Sequence, residues 1–135
     1  LETMKRTSEN RDMVLTLALS YGGRQEILDG VRHLAEQARN GDLPAEDITE
    51  KRLSEALYTA DMPDPDLLIR TSGEFRISNF LLWQTAYAEL YFTSTLWPDF
   101  REKEYLAAIE AYQGRERRFG ATGEQLSELE KTETR

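Results

Sequence analysis

Apolar positions fall into short blocks separated by polar punctuation, and the blocks differ in period. Residues 12–20, DMVLTLALS, mix alternating and continuous apolar positions over strand length, which predicts a buried strand. YGGR at 21–24 punctuates it. From Arg24 to Ala38 the apolar residues Ile27, Leu28, Val31, Leu34, Ala35 and Ala38 follow one helix face, and Gly41 and Pro44 close that helix. Thr49 is a candidate N-cap for a second helix running through Leu53, Ala56 and Leu57.

MPDPD, residues 62–66, reads as a loop, and LLIR at 67–70 is too short for anything but a buried strand. Ser78 is placed to cap a short helix, NFLLWQTA, after which ELYFT supplies a third strand. WPDFRE begins the last long helix, with Asp99 as N-cap and Glu102 three residues on, a capping-box pattern. Tyr105, Ala108, Ile109, Tyr112 and Phe119 form its apolar face. The opening LETMKRTSENRD resembles the tail of a helix, and residues 121–135 read as a polar, loosely ordered tail. Strand, helix, helix, strand, helix, strand, helix predicts an α/β fold with a mainly parallel sheet flanked by helices. Such sheets take ligands beyond the carboxyl ends of their strands, where Arg70, Thr71, Ser72 and Gly73 fall.

Composition narrows the function classes. The 135 residues suit one domain, and a net charge of -8 argues against sequence-independent nucleic-acid binding and against a polybasic membrane anchor. Arginine outnumbers lysine thirteen to four, a skew that suits forked recognition of anions. With no cysteine, disulfides and thiolate zinc sites are out. No apolar run nears the ~20 residues of a membrane span, so the expected location is cytoplasmic, at most peripheral to the inner face of the membrane. The sole histidine, His33, falls on the polar face of the first long helix and gives no support to Ser–His catalysis.

The sharpest local feature is DLLIRTSGEFRISNF, residues 66–80. Arg70 at a strand end, a small-residue loop, Arg76, Ile77 and Ser78 leading into a helix N-terminus would make an anion site. Arginines give charge-assisted forked bonds, a serine hydroxyl adds a donor, and a helix N-terminus offers free N–H groups. The plainer alternative is that Arg70 pairs with Asp64, Asp66 or Glu74 and Ser78 is only a cap.

The run DPDLLIRTSGEFRISNFLLWQTAYAELYFTSTLWPDF resembles the signature region of the cis-prenyltransferase family, specifically the carboxyl-terminal half of its bacterial isoprenyl transferases. LTLALSYGGRQEI and GRERRFG resemble two further stretches of that family, in the same order, so the resemblance covers residues 1–120. It implies cis addition of isopentenyl diphosphate to an allylic diphosphate, usually farnesyl diphosphate, giving a long-chain polyprenyl diphosphate lipid carrier for cell-wall synthesis. Matched by position, Arg70, Arg76 and Ser78, with Ile77 between them, would hold the diphosphate of isopentenyl diphosphate. Glu89 would be a magnesium ligand, against the plainer reading of a salt-bridged strand-edge residue. Arg118 and Gly120 would cross a homodimer interface to the partner's diphosphates. The neighbouring Arg115 and Arg117 leave that register open, and the plainer reading makes all three arginines solvated partners of a helix dipole.

The family's D-G-N-G-R-W-A stretch, which brings the catalytic aspartate, does not occur in these residues. The resemblance therefore implies a chain without the amino-terminal strands, inactive alone, poorly soluble or multimeric. The alternative is a non-catalytic partner subunit of a heteromeric cis-prenyltransferase. Ser20 stands where relatives often carry Asn, and Phe75 where polar residues are common.

Overall fold

The computed structural model describes residues 2–115. The elements run α1 (Glu2–Arg6), α2 (Gly23–Asn40), α3 (Glu50–Glu55), β1 (Leu67–Arg70), β2 (Glu89–Phe92) and α4 (Glu102–Gln113). Short 3-10 turns at Ala45–Asp47 and Trp97–Asp99 precede α3 and α4. β1 and β2 pair in parallel, in a register that sets Leu67 against Glu89 and Arg70 against Phe92. Helices flank a parallel sheet, as the α/β reading expects.

The helical period of α2 is realised in its packing. Gly30 and Leu34 are buried, and a Cβ on Gly30 would meet Leu53 and Leu57 methyls at 3.3 Å, so the glycine sets how closely α3 approaches. Gly41 ends α2 in the left-handed conformation at φ 81°. Thr49 caps α3 by accepting the Arg52 N–H at 3.3 Å, and the helix stops at Glu55, leaving Ala56 and Leu57 just beyond it. Leu34, Leu43, Leu57 and Ala108 are the buried apolar residues of this part of the molecule.

Three expectations change. Residues 12–20 join no sheet: the two paired strands among the described residues are β1 and β2. Met13, Val14, Leu15, Leu17 and Leu19 are instead 74–85% exposed, on both faces of the run.

The segment 79–86 is a string of turns and not a helix. Ser78, Asn79 and Leu81 have positive φ (54°, 63° and 45°), which a right-handed helix start cannot accommodate. The side chains of Asn79 and Gln84 reach across to α2, so tertiary hydrogen bonds displace the local ones.

Asp99 does not cap α4. Pro98 starts a 3-10 turn in which the Asp99 N–H bonds to Leu96 O at 2.9 Å, and Arg101 becomes the N-cap, its N–H donating to Glu104 at 3.1 Å. On α4 only Ala108 is fully buried, Ile109 and Tyr112 are half-buried, and Tyr105 is exposed. Phe119 and the 121–135 tail lie outside the described residues. No described helix is long and apolar enough to cross a membrane.

Candidate anion-binding site

Where β1 ends, the backbone turns sharply. Ser72 and Gly73 both take left-handed φ (71° and 68°), a conformation that suits glycine and strains serine. Two hydrogen bonds pin this turn to the chain leaving β2: Ser72 N–H to Thr95 O and Gly73 N–H to Thr93 O, both 2.9 Å. The pinned turn sends Glu74 back over the strand end.

There the two arginines meet. Arg70 lies 3.9 Å from Glu74 Oε2, and the Arg76 guanidinium contacts the same oxygen. Arg70 is 26% exposed and anchored at the strand end, whereas Arg76 is 65% exposed on the loop. Glu74 Oε2 is closed off from solvent, yet no N–H is aligned on it for a hydrogen bond. Two fixed positive charges therefore converge on a point held by the protein's own carboxylate. Of the plainer partners considered for Arg70, Glu74 is one that it contacts.

Ile77 is half-buried and Ser78 exposed at the far side of the loop. The helix N-terminus expected after Ser78 is absent, and the one that lies beside this loop, that of α2, is already taken. Gly23 N–H donates to Asn79 O at 2.7 Å and Arg24 N–H to Asn79 Oδ1 at 2.9 Å. The YGG turn has a steric reason: a Cβ on Gly23 would sit 3.0 Å from Leu82 Cγ and 3.2 Å from Asn79 O. Phe75 packs its ring 5.3 Å from that of Phe92 at the end of β2.

Glu89 stands elsewhere. It begins β2, level with Leu67, while Arg70 is level with Phe92, about 10 Å further along the sheet at the usual rise per residue. Its carboxylate accepts Arg115 Nη1 at 2.7 Å, and the same nitrogen donates to Leu90 O at 2.9 Å. Magnesium needs an octahedron of oxygens, commonly one or two carboxylates with phosphate and water. A single carboxylate fits that mode only together with phosphate and water oxygens; no cluster of three acidic or histidine ligands occurs among the described residues, and Glu89 is held here by Arg115. Arg118 and Gly120 lie outside the described residues.

Glu26 is the site-building residue that sequence reading passed over. It is 0% exposed and accepts from Tyr21 O–H, from Tyr58 N–H at 2.9 Å, and from Gln84 Nε2 at 3.1 and 3.2 Å. Gln84 Nε2 also reaches Thr59 Oγ1 at 2.8 Å. The signal was its spacing: 26, 30 and 34 form an i, i+4, i+8 stripe with buried Gly30 and Leu34. Burial first, and the carboxylate of Glu26 second, raise the Tyr21 phenol above its usual range. Beside this hub lies a cavity of about 410 Å³ whose apolar walls include Leu17, Leu19, Tyr21, Met62 and Phe80.

Chemically the loop can bind an anion and orient it. Arginine does not deprotonate at ordinary pH, so neither Arg70 nor Arg76 can serve as a general base. His33 is exposed on α2, its ring 3.2 Å from Gln37 Nε2.

A family model described as "Putative undecaprenyl diphosphate synthase", of the prenyltransferases, matches residues 1–120. The isoprenyl transferase of Chlorobaculum tepidum is 57% identical over 93% of the chain and 47% of its own length. A Vibrio vulnificus protein named ditrans,polycis-undecaprenyl-diphosphate synthase ((2E,6E)-farnesyl-diphosphate specific) is 52% identical over 96% of the chain and 51% of its own. Lavandulyl diphosphate synthase from Lavandula x intermedia, solved with dimethylallyl diphosphate, superposes with a TM-score of 0.84 at 40% identity, covering 88% of the chain and 51% of the other. The chain thus spans about half the length of the curated relatives it matches.

Proposed function

The chain belongs to the undecaprenyl diphosphate synthase family of prenyltransferases, and we propose that it carries the isopentenyl diphosphate site of a cis-prenyl transfer reaction. The observation that carries this reading is the convergence of Arg70 and Arg76 on one anionic oxygen at the carboxyl end of β1. A diphosphate in that place would engage both guanidiniums at once, with the Ser78 hydroxyl as a further donor after a small turn of the loop. The acceptor would be an allylic diphosphate, farnesyl diphosphate being the one in the Vibrio relative's name. The product would be a long-chain polyprenyl diphosphate.

The chain's own residues account for binding and orientation of the isopentenyl unit. They do not account for loss of the allylic diphosphate, since no D-G-N-G-R-W-A stretch occurs here and Glu89 is engaged by Arg115. No metal step is derived from them.

Titration calorimetry of the purified chain with isopentenyl diphosphate tests the reading. Saturable binding that Arg76→Ala weakens tenfold or more supports it, because a charge-assisted contact to phosphate is worth about 1.5–3 kcal/mol. Binding that Arg70→Ala and Arg76→Ala leave unchanged would place the ligand elsewhere. Incorporation of labelled isopentenyl diphosphate in the presence of farnesyl diphosphate then separates a catalytic chain from a supporting one.

A further inference from the structure

We propose that Glu74 is a displaceable internal counter-anion of the arginine pair, and that it sets the selectivity of the site for diphosphates over single phosphates. The inference rests on the diphosphate reading above. Two observations carry it: Glu74 Oε2 lies between Arg70 and Arg76, and it is closed off from solvent. A carboxylate oxygen facing two guanidiniums occupies the place that a ligand anion would take. It holds the guanidiniums together while the site is free of ligand, which lowers the cost of ordering Arg76 on its exposed loop.

The backbone around it lets the side chain leave without unmaking the loop. Ser72 and Gly73 are fixed by their bonds to Thr95 and Thr93, so the turn stays in place whatever Glu74 does. An entering anion must replace what the carboxylate gave both arginines. A single phosphate offers one tetrahedral centre and competes on nearly equal terms with a carboxylate. A diphosphate has two, so each guanidinium can take its own phosphate group in a forked contact. The resident carboxylate thus penalises all anions and penalises the smaller ones most.

The test is titration of the full chain with inorganic pyrophosphate and, separately, inorganic phosphate, for the unaltered protein, Glu74→Gln and Arg76→Ala. Far-UV circular dichroism and melting temperature serve as folding controls. Glu74→Gln is expected to bind phosphate about tenfold more tightly and pyrophosphate by a smaller factor, so that the ratio between them shrinks. If Glu74→Gln weakens pyrophosphate binding, or changes neither ligand while folding normally, Glu74 does not compete for the site and the proposal is overturned. If Glu74→Gln alone binds pyrophosphate, the unaltered site excludes the very ligand it is argued to select, and the selectivity proposal is overturned. If neither form binds pyrophosphate, the diphosphate reading itself fails and takes this inference with it. Should the glutamine variant misfold, Glu74→Asp answers the same question: its shorter side chain withdraws the carboxylate, and it must bind phosphate more tightly than the unaltered chain.

Discussion

Asn79 caps a helix far before it in the chain: its Oδ1 accepts the N–H of Arg24, 55 residues away, at 2.9 Å, and its carbonyl accepts the Gly23 N–H at 2.7 Å. Gly22, the local N-cap of α2, makes no side-chain cap bond, so the capping function has moved to a distant loop. That loop is the one carrying Arg76 and Ser78. The start of α2 and the anion loop are therefore one structural unit.

Asn79→Gly should cost about 1 kcal/mol, the usual worth of a lost N-cap, because glycine keeps the positive φ of 63° and removes only the amide oxygen. Asn79→Ala should cost more, since alanine also resists the left-handed conformation by about 1 kcal/mol. Urea titration of the three proteins ranks them. Equal stability of the glycine and alanine variants would mean the loop rearranges and the cap is dispensable.

Stability should fall in alkali, with Tyr21 as one cause. Burial and the Glu26 carboxylate raise its pKa in the folded chain, and the Asp29 carboxylate raises that of Tyr58. A group whose folded pKa is raised contributes stability that is complete below the unfolded value, about 10 for tyrosine, and lost as pH climbs above it. The urea midpoint should therefore begin to drop at about pH 10, the unfolded tyrosine value, and keep falling as pH rises toward the raised folded value. Tyr21→Phe should be less stable at pH 7, having lost a bond to a buried carboxylate, but should show a shallower alkaline slope. Tyr58 leaves part of the slope in place, and an unchanged slope would show that folding does not raise the Tyr21 pKa.

Ser20 sits at φ 54°, where asparagine is enriched and serine is not. Ser20→Asn should raise the melting temperature slightly, by a gain of a few tenths of a kcal/mol, with no change in anion binding. A lower melting temperature would show that the serine hydroxyl has a use that outweighs the backbone preference.

How much was legible beforehand follows from what each signal depends on. α2, α3 and both strands were readable because period, Thr49 and Gly41 act locally. The turns of 79–86 were not, because what breaks the helix there is a set of contacts to Glu26 and to the α2 backbone, far away in sequence. Residues 12–20 read as a strand because their pattern is that of one, but a strand also needs a neighbour. Arg70 and Arg76 were legible as two cations around one loop, and the structure brings both to the Glu74 carboxylate. Glu74, lying between them in the sequence and in space, was weighed only as a salt-bridge partner, since pattern alone does not show which way a side chain turns.

The last prediction concerns Arg115 and magnesium. Arg115 Nη1 joins the Glu89 carboxylate and Leu90 O, tying the end of α4 to the start of β2. Both side chains are partly exposed, at 38% and 27%, so water and salt screen the pair and Arg115→Ala should cost only about 1 kcal/mol. The informative readout is metal dependence. With Arg115 holding its only assigned carboxylate, the chain without diphosphate should show no magnesium-dependent rise in melting temperature beyond what matched ionic strength with sodium produces. Arg115→Ala frees the carboxylate but adds no second ligand, so it too should gain nothing from magnesium unless a diphosphate is present. A specific rise in the unaltered chain would mean that Glu89 exchanges Arg115 for the metal readily, and the ion pair would then be a resting contact of a working magnesium ligand.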